Sequence, residues 1–261
     1  MRQENTRALE PRSRFQINDA GLAACGDCGE FVVETVKATL RDKVKLFPKT
    51  DFCDACQGKR DEAERREKER KAQAATEWRR QNIGVLLQSA GVLPRYQTCS
   101  LENFKGKLPA TRPTFICGPP GTGKTHLAVG YLREEIISQG KDNANRFVRA
   151  VDLFRKIRET FRNGSYLTET DILDEYGKAA PFLVLDDLGS EKISDFVLQT
   201  LYDILDRRYG ECLETMITSN LTLEQLARHY ESHGDRLASR IAGMGAVMVI
   251  KGKDRRLASR F

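Results

Sequence analysis

The run TFICGPPGTGKTH, residues 114–126, restricts the fold more than any other part of the chain. Four residues of strand character lead into Gly118, and after four intervening positions come Gly123, Lys124 and Thr125. This spacing is that of a phosphate-binding loop, which requires a strand on one side and the first turn of a helix on the other. Glycines let successive backbone N–H groups turn toward phosphate oxygens, and the helix N-terminus favours the same negative charge. The expected cradle is Gly118, Pro119, Pro120, Gly121, Thr122, Gly123, Lys124, Thr125 and His126. Within it the Lys124 ammonium is expected to reach the β- and γ-phosphates, and the Thr125 hydroxyl to bind Mg2+. The alternative is a glycine-rich turn that binds nothing; the strand–loop–helix context argues against it.

A second strand ends in charge. FLVLDDLGSE, residues 182–191, places Asp186 and Asp187 at the tip of an unbroken apolar run. An isolated carboxylate is costly to bury, so a cation or a hydrogen-bonding site is implied. In phosphate-loop proteins the acidic tip of a neighbouring strand holds Mg2+. Asp186 is expected in that role, directly or through water, with Asp187 polarising the attacking water as general base. A helix N-cap is the other use for such a pair.

The remaining strand candidates are RFVRA (146–150), TMITSN (215–220) and AVMVI (246–250), in addition to TFIC (114–117). Helical patterns separate them. In SDFVLQTLYDILDRRYG, Val197, Leu201, Ile204 and Leu205 share one face. Strands apolar on both sides and separated by helices predict an α/β fold, a parallel sheet with helices on both faces.

Composition divides the chain into three. Residues 1–57 hold four cysteines around the strand-like FVVETVKATLRDKVKLF. Residues 58–82 are crowded with Glu, Lys and Arg at three- and four-residue spacing, the pattern of a solvated helical linker. Residues 83–261 carry the alternating strand and helix signals. No apolar run approaches the roughly 18 residues that span a bilayer, and the N-terminus lacks the apolar core of a secretory signal. A cytoplasmic location with reduced thiols is expected, in a bacterial or phage-infected cell. The formal net charge of +6 is uneven, with seven basic against two acidic residues over 235–261. Such a surplus permits nucleic-acid binding without establishing it.

Cys25 and Cys28 form one C-x2-C knuckle and Cys53 and Cys56 another, 24 residues apart. Two such knuckles can present four thiolates tetrahedrally to one Zn2+, with room for a hairpin between them. Redox dithiols or unliganded cysteines are the alternatives. The segment has balanced charge, nine basic against nine acidic residues over 1–56, which argues mildly against strong DNA binding.

Three further features bear on the site. Asn220 ends TMITSN and suits orientation of a lytic water. Arg236 and Arg240 in GDRLASRI stand one helical turn apart, and an always-charged bidentate cation suits a developing phosphate charge. The segment RFVRAVDLFRKIRETFRNGSY mixes Arg146, Arg149, Arg155, Lys156, Arg158 and Arg162 with Phe147, Phe154, Phe161 and Tyr166. Cations beside stacking rings hold single-stranded DNA, but Leu153, Phe154, Ile157 and Phe161 also have the spacing of a helix core face.

Taken in order, GPPGTGKTH, LVLDDLGSE, TMITSN, GDRLASRI and KGKDRR resemble the AAA+ ATPases of the DnaC/DnaI helicase-loader and IstB transposition-helper family. The lead-in GVLPRYQTCSLENF is similar too, so the resemblance covers about residues 90–261. It implies ATP with Mg2+, Lys124 and Thr125 on the nucleotide, Asp186 and Asp187 as the acidic pair and Asn220 as sensor 1. It also implies Arg240 as arginine finger, with Arg236 as fallback, and Arg256 as the sensor-2 arginine. The chain departs from generic AAA+ proteins in its Asp-Asp pair. Only eleven residues follow Ile250, too few for the usual C-terminal helical lid. Weak, assembly-dependent ATP hydrolysis with self-association through the ATP site is therefore expected. In DnaI-like loaders an N-terminal zinc domain contacts the helicase, so the resemblance implies a loader of a hexameric replicative helicase acting on single-stranded DNA. A transposition helper ATPase and a nucleotide-switched adaptor with negligible hydrolysis are the alternatives.

Overall fold

The computed structural model of the chain describes residues 16, 19–20, 22–40, 43–48, 52–139, 144–161, 165–190 and 194–258; Arg162 and Glu191, named above, lie outside them. The chain divides into two compact units, Met1–Ala74 and Ala75–Phe261.

In the first unit, β1 (Ala23–Ala24) pairs antiparallel with β2 (Phe31–Val33), and β3 (Thr35–Leu40) with β4 (Lys43–Pro48). The interval between the knuckles therefore holds the hairpin its length allows. Helix α1 (Asp54–Gln81) begins inside the second knuckle, so Cys56 lies in its first turn. Its surface carries Glu62–Arg66, Glu64–Lys68 and Glu67–Lys71 pairs at four-residue spacing. All are exposed, so water and salt screen them and each adds little to stability. They suit a solvated helix, as the charge pattern predicts.

The second unit contains α2 (Ile83–Ser89), β5 (Pro113–Cys117), α3 (Lys124–Gln139), β6 (Arg146–Arg149), α4 (Ala150–Glu159), α5 (Glu169–Asp174) and β7 (Phe182–Leu188). It continues through α6 (Asp195–Gly210), β8 (Glu214–Ser219), α7 (Leu223–His229), α8 (Gly234–Met244), β9 (Ala246–Val249) and α9 (Arg255–Ala258). The five strands form one parallel sheet in the order β6-β7-β8-β5-β9. All five apolar runs are strands, and the order places β8 between the loop-bearing strand and the acidic one.

Alternation along these strands feeds two cores. Phe115, Cys117, Leu183, Leu185 and Ile217 pack toward α4, α6, α7 and α8 with Val197, Leu201, Ile204 and Leu205. Ile116, Phe182, Val184 and Met216 face the opposite way, against α2 and α3. Burial on both faces explains why these strands read as continuous apolar runs. Among the described residues no helix is long and apolar enough to cross a membrane.

Candidate functional site

Glycine conformation shapes the loop between β5 and α3. Gly118, Gly121 and Gly123 have φ of 146°, 71° and 101°, values that L side chains rarely adopt. Gly118 also has no room for a side chain, since a Cβ there would stand 2.1 Å from Ile250 O. The loop closes on Lys124, whose Nζ donates to Gly118 O (2.8 Å), Pro119 O (2.9 Å) and Asn220 Oδ1 (2.7 Å). Lys124 is only 6% exposed. Burial lowers its pKa, opposed by the nearby charges of Asp187 and Asp186.

The acidic pair reaches this loop across β8. Thr125 Oγ1 donates to Asp186 Oδ1 at 2.8 Å, and Thr218 Oγ1 donates to the same oxygen at 2.7 Å. Asp186 is 4% exposed, and its pKa is raised by burial against the lowering effect of the two threonine hydroxyls. A buried carboxylate on two neutral hydroxyls is under-compensated, the state that a divalent cation relieves. Asp187 differs from its neighbour because the β7–β8 register shifts between Leu185 and Leu188. Its φ is 60°, unusual for a residue other than glycine. Its N–H donates to Thr218 Oγ1 (2.9 Å), and its carboxylate accepts from Asn220 Nδ2 (2.9 Å). Asn220 thus bridges Lys124 and Asp187. Thr218 holds the Asp186 carboxylate and the Asp187 backbone, a role that sequence reasoning missed although the residue stands within TMITSN.

A cleft of about 250 Å3 opens on the loop, lined by Arg95, Tyr96, Cys99, Gly121, Gly123, Lys124, Thr125, His126 and Arg256. Arg95, Tyr96 and Cys99 come from the lead-in, held on α3 by Arg133 bonds to Cys99 O and Gln97 O. The His126 ring is engaged by Asn103 Oδ1 (2.7 Å) and Ser100 O (3.0 Å), so it fixes the lead-in as well as lining the cleft. Arg256 lines the cleft with its fork on Asp254.

Arg236 and Arg240 are not among the cleft residues. Arg240 donates to Asp206 (2.5 Å) and Tyr202 OH (3.3 Å) and stacks over Tyr209 at 4.4 Å; Arg236 covers Tyr202 at 4.7 Å. Both stand on α8 and pack on α6 side chains, in a separate cleft that also holds Asp235. In the mixed basic and aromatic segment Leu153, Phe154 and Ile157 are buried as the helical spacing predicts, and Phe147 with them. Phe161, the fourth residue of that expected face, is exposed because α4 ends at Glu159, before it; Tyr166 is exposed too. Most of its cations have acidic partners: Arg149 and Arg155 pair with Asp152, and Arg146 and Lys156 with Glu175.

In the first unit the four sulfurs of Cys25, Cys28, Cys53 and Cys56 lie within 4.8 Å of one another. Cys28 Sγ and Cys53 Sγ are 3.8 Å apart, the separation roughly expected for two thiolates on tetrahedral zinc at 2.3 Å. The backbone N–H of Cys53 also donates to Cys25 Sγ at 3.3 Å. Hydrogen bonds from the N–H groups of Cys28 and Cys53 lower the Cys25 pKa to about 6, while the Cys53 thiol raises Cys56 to about 12. Clustered thiols thus divide into one that ionises readily and one that resists. A divalent cation would let all four ionise, so the donor set fits zinc.

Similarity to known proteins follows the same features. The family described as IstB-like ATP binding protein matches residues 111–260. The replicative helicase loader DnaC of Escherichia coli (strain K12) is 26% identical over a 206-residue alignment covering 70% of this chain and 81% of that protein. The replicative helicase loader DnaI of Bacillus subtilis (strain 168) is 24% identical over 165 residues, 59% of this chain and 49% of that one. Among solved structures, the crystal structure of the DnaC helicase loader is similar at a TM-score of 0.51 and 27% identity, covering 61% of this chain and 100% of that chain.

Proposed function

The chain belongs to the family of IstB-like ATP-binding proteins, AAA+ ATPases that include DnaC-type loaders, and on that premise we propose that it loads a replicative DNA helicase in an ATP-dependent manner. One observation carries the nucleotide part. Thr125 of the loop and Asp186 of the acidic strand are joined by a 2.8 Å hydrogen bond, so a single cation can be held by both. When bound, Mg-ATP supplies the phosphoryl group and the metal charge.

The chain's own residues do the rest. Lys124 neutralises phosphate charge from within the loop, at the cost of its bonds to Gly118 and Pro119. Asp186 and Thr125 anchor the metal. Asp187, its backbone fixed by the Thr218 hydroxyl and its carboxylate aimed by the Asn220 amide, accepts the proton of the attacking water. Arg256 adds charge at the mouth of the cleft. Arg240, remote from the cleft of its own chain, is the finger offered to a neighbouring subunit, with Arg236 beside it. Hydrolysis is accordingly weak in the monomer and rises on self-association.

The loader role is supported by the DnaC and DnaI relatives and by the four-cysteine module ahead of the ATPase unit. The module, holding Zn2+, is the part that contacts the hexameric helicase. Single-stranded DNA is the second partner. Arg155 and Arg158 are exposed on α4, and the exposed rings of Phe161 and Tyr166 follow it, whereas the buried Phe147 and Phe154 take no part.

Co-purification with the host replicative helicase tests this reading. Wild type should retain the helicase, and Cys25→Ser/Cys28→Ser should lose it while keeping ATP binding. Retention of a transposase in place of the helicase would favour the transposition-helper reading. Retention of neither would leave a nucleotide-switched adaptor.

A further inference from the structure

The segment after β9 lies on the phosphate loop. Ile250 N–H donates to Cys117 O at 2.7 Å, and Arg255 N–H donates to Gly121 O at 3.1 Å. A Cβ on Gly121 would stand 1.8 Å from Asp254 Oδ1, and one on Gly123 would stand 3.4 Å from a guanidinium nitrogen of Arg255. The Asp254 carboxylate therefore rests against the fourth residue of the loop. It is also the partner of Arg256, whose Nε donates to Oδ1 (3.1 Å) and Nη2 to Oδ2 (2.9 Å), with the backbone N–H adding a third bond at 2.9 Å.

This charge is out of keeping with its surroundings. A glycine-rich loop before a helix N-terminus favours an anionic guest, yet here the chain lays an anion of its own beside it. Asp186 and Asp187 also face the loop, but they are engaged by Thr125, Thr218 and Asn220, and one of them is suited to metal. Asp254 is engaged by Arg256, a residue that a polyphosphate would also attract. An arginine fork satisfied by a carboxylate has the geometry that a phosphate takes, so the two anions compete for it.

We propose that Asp254 is a charge-discriminating residue of the nucleotide cleft, its carboxylate opposing the polyphosphate and holding Arg256 until the nucleotide takes it. The inference rests on the nucleotide reading given above. Because opposition grows with guest charge, Asp254 weakens binding of a triphosphate more than that of a diphosphate. The isosteric Asp254→Asn removes the charge while leaving an oxygen that can accept from Arg256. A carboxylate that merely props Arg256 in place would give the opposite result, since its loss would weaken binding.

Fluorescent ATP and ADP analogues titrated into the full chain test this. Asp254→Asn should tighten ATP by roughly fivefold, the scale of a single partly solvated charge interaction, and ADP by less. Added salt should shrink the gain. Asp254→Glu, which keeps the charge, should bind as wild type does. In an Arg256→Ala background the gain from Asp254→Asn should fall, because no fork remains to be released. Equal or weaker ATP binding by Asp254→Asn, or an equal gain for ADP, overturns the proposal. Lys124→Ala separates the two levels. If wild type binds ATP and Lys124→Ala does not, a null result at Asp254 removes this inference alone. If wild type binds no nucleotide, the nucleotide reading falls and takes the inference with it.

Discussion

At the scale of single residues, the site is a balance between charges that the fold buries and ligands that compensate them. Asp186 shows this most clearly. Its folded pKa is raised by burial, so the native state holds its proton to higher pH than the unfolded chain does. Its contribution therefore has the sign opposite to that of a salt-bridged carboxylate. Stability is lost as pH rises from the ordinary aspartate value through the raised folded one. Asp186→Asn keeps an oxygen for the Thr125 and Thr218 hydroxyls and removes the charge. It should raise the melting temperature of the ligand-free protein at neutral pH by a few degrees, on the order of 1 kcal/mol. A lower melting temperature would mean that the carboxylate is already compensated. The spacing of the loop and the Asp-Asp pair were legible because their chemistry demands particular residue types at particular intervals. Thr218 and Asp254 were not, since a threonine in a strand and an aspartate in a basic tail have many ordinary uses. The sheet order, which sets Thr218 on β8 between β5 and β7, gives the first its role, and the packing of the segment after β9 on the loop gives the second.

At the scale of elements, continuous apolar runs and a helical face made the second unit readable. The runs of β5, β7 and β8 became strands because both faces of the sheet are covered there, whereas β9, at the edge, leaves Val247 and Val249 exposed; α6 buries the four residues that share its face. The ends were less legible: β7 continues to Leu188, past the carboxylates, because its register with β8 shifts there. The basic-aromatic segment could be read two ways because a core stripe and a stacking platform use the same residues. Burial of Leu153, Phe154 and Ile157 decides for the core over most of its length. Among the described residues the first unit's buried cluster is Ala23, Cys25 and Val33, a small core to which the proposed metal set would add. Zinc would contribute about 10–16 kcal/mol of apparent folding energy to such a module. A strong chelator should release one zinc per chain and make the segment before residue 54 sensitive to protease, while residues 83–258 stay resistant. A protease pattern unchanged by chelation would remove the metal from the account.

At the scale of the whole molecule, the account predicts that one chain does not complete its own catalytic site. Arg240 is held by Asp206 and Tyr202, apart from the cleft residues of its own chain. ATP turnover per chain should therefore rise with protein concentration. Arg240→Ala should leave ATP affinity unchanged and reduce turnover by about 10²–10³-fold at concentrations where wild type is assembled. Concentration-independent turnover, or loss of binding in Arg240→Ala, would place the finger elsewhere.

The central claim is that the glycine loop after β5 and the acidic tip of β7 close on one magnesium–nucleotide. Calorimetric titration of ATP with and without Mg2+, on wild type and on Asp186→Asn, tests it most directly. The account predicts that Mg2+ tightens ATP binding to wild type and that this gain vanishes in Asp186→Asn. An equal gain from Mg2+ in both proteins would contradict it.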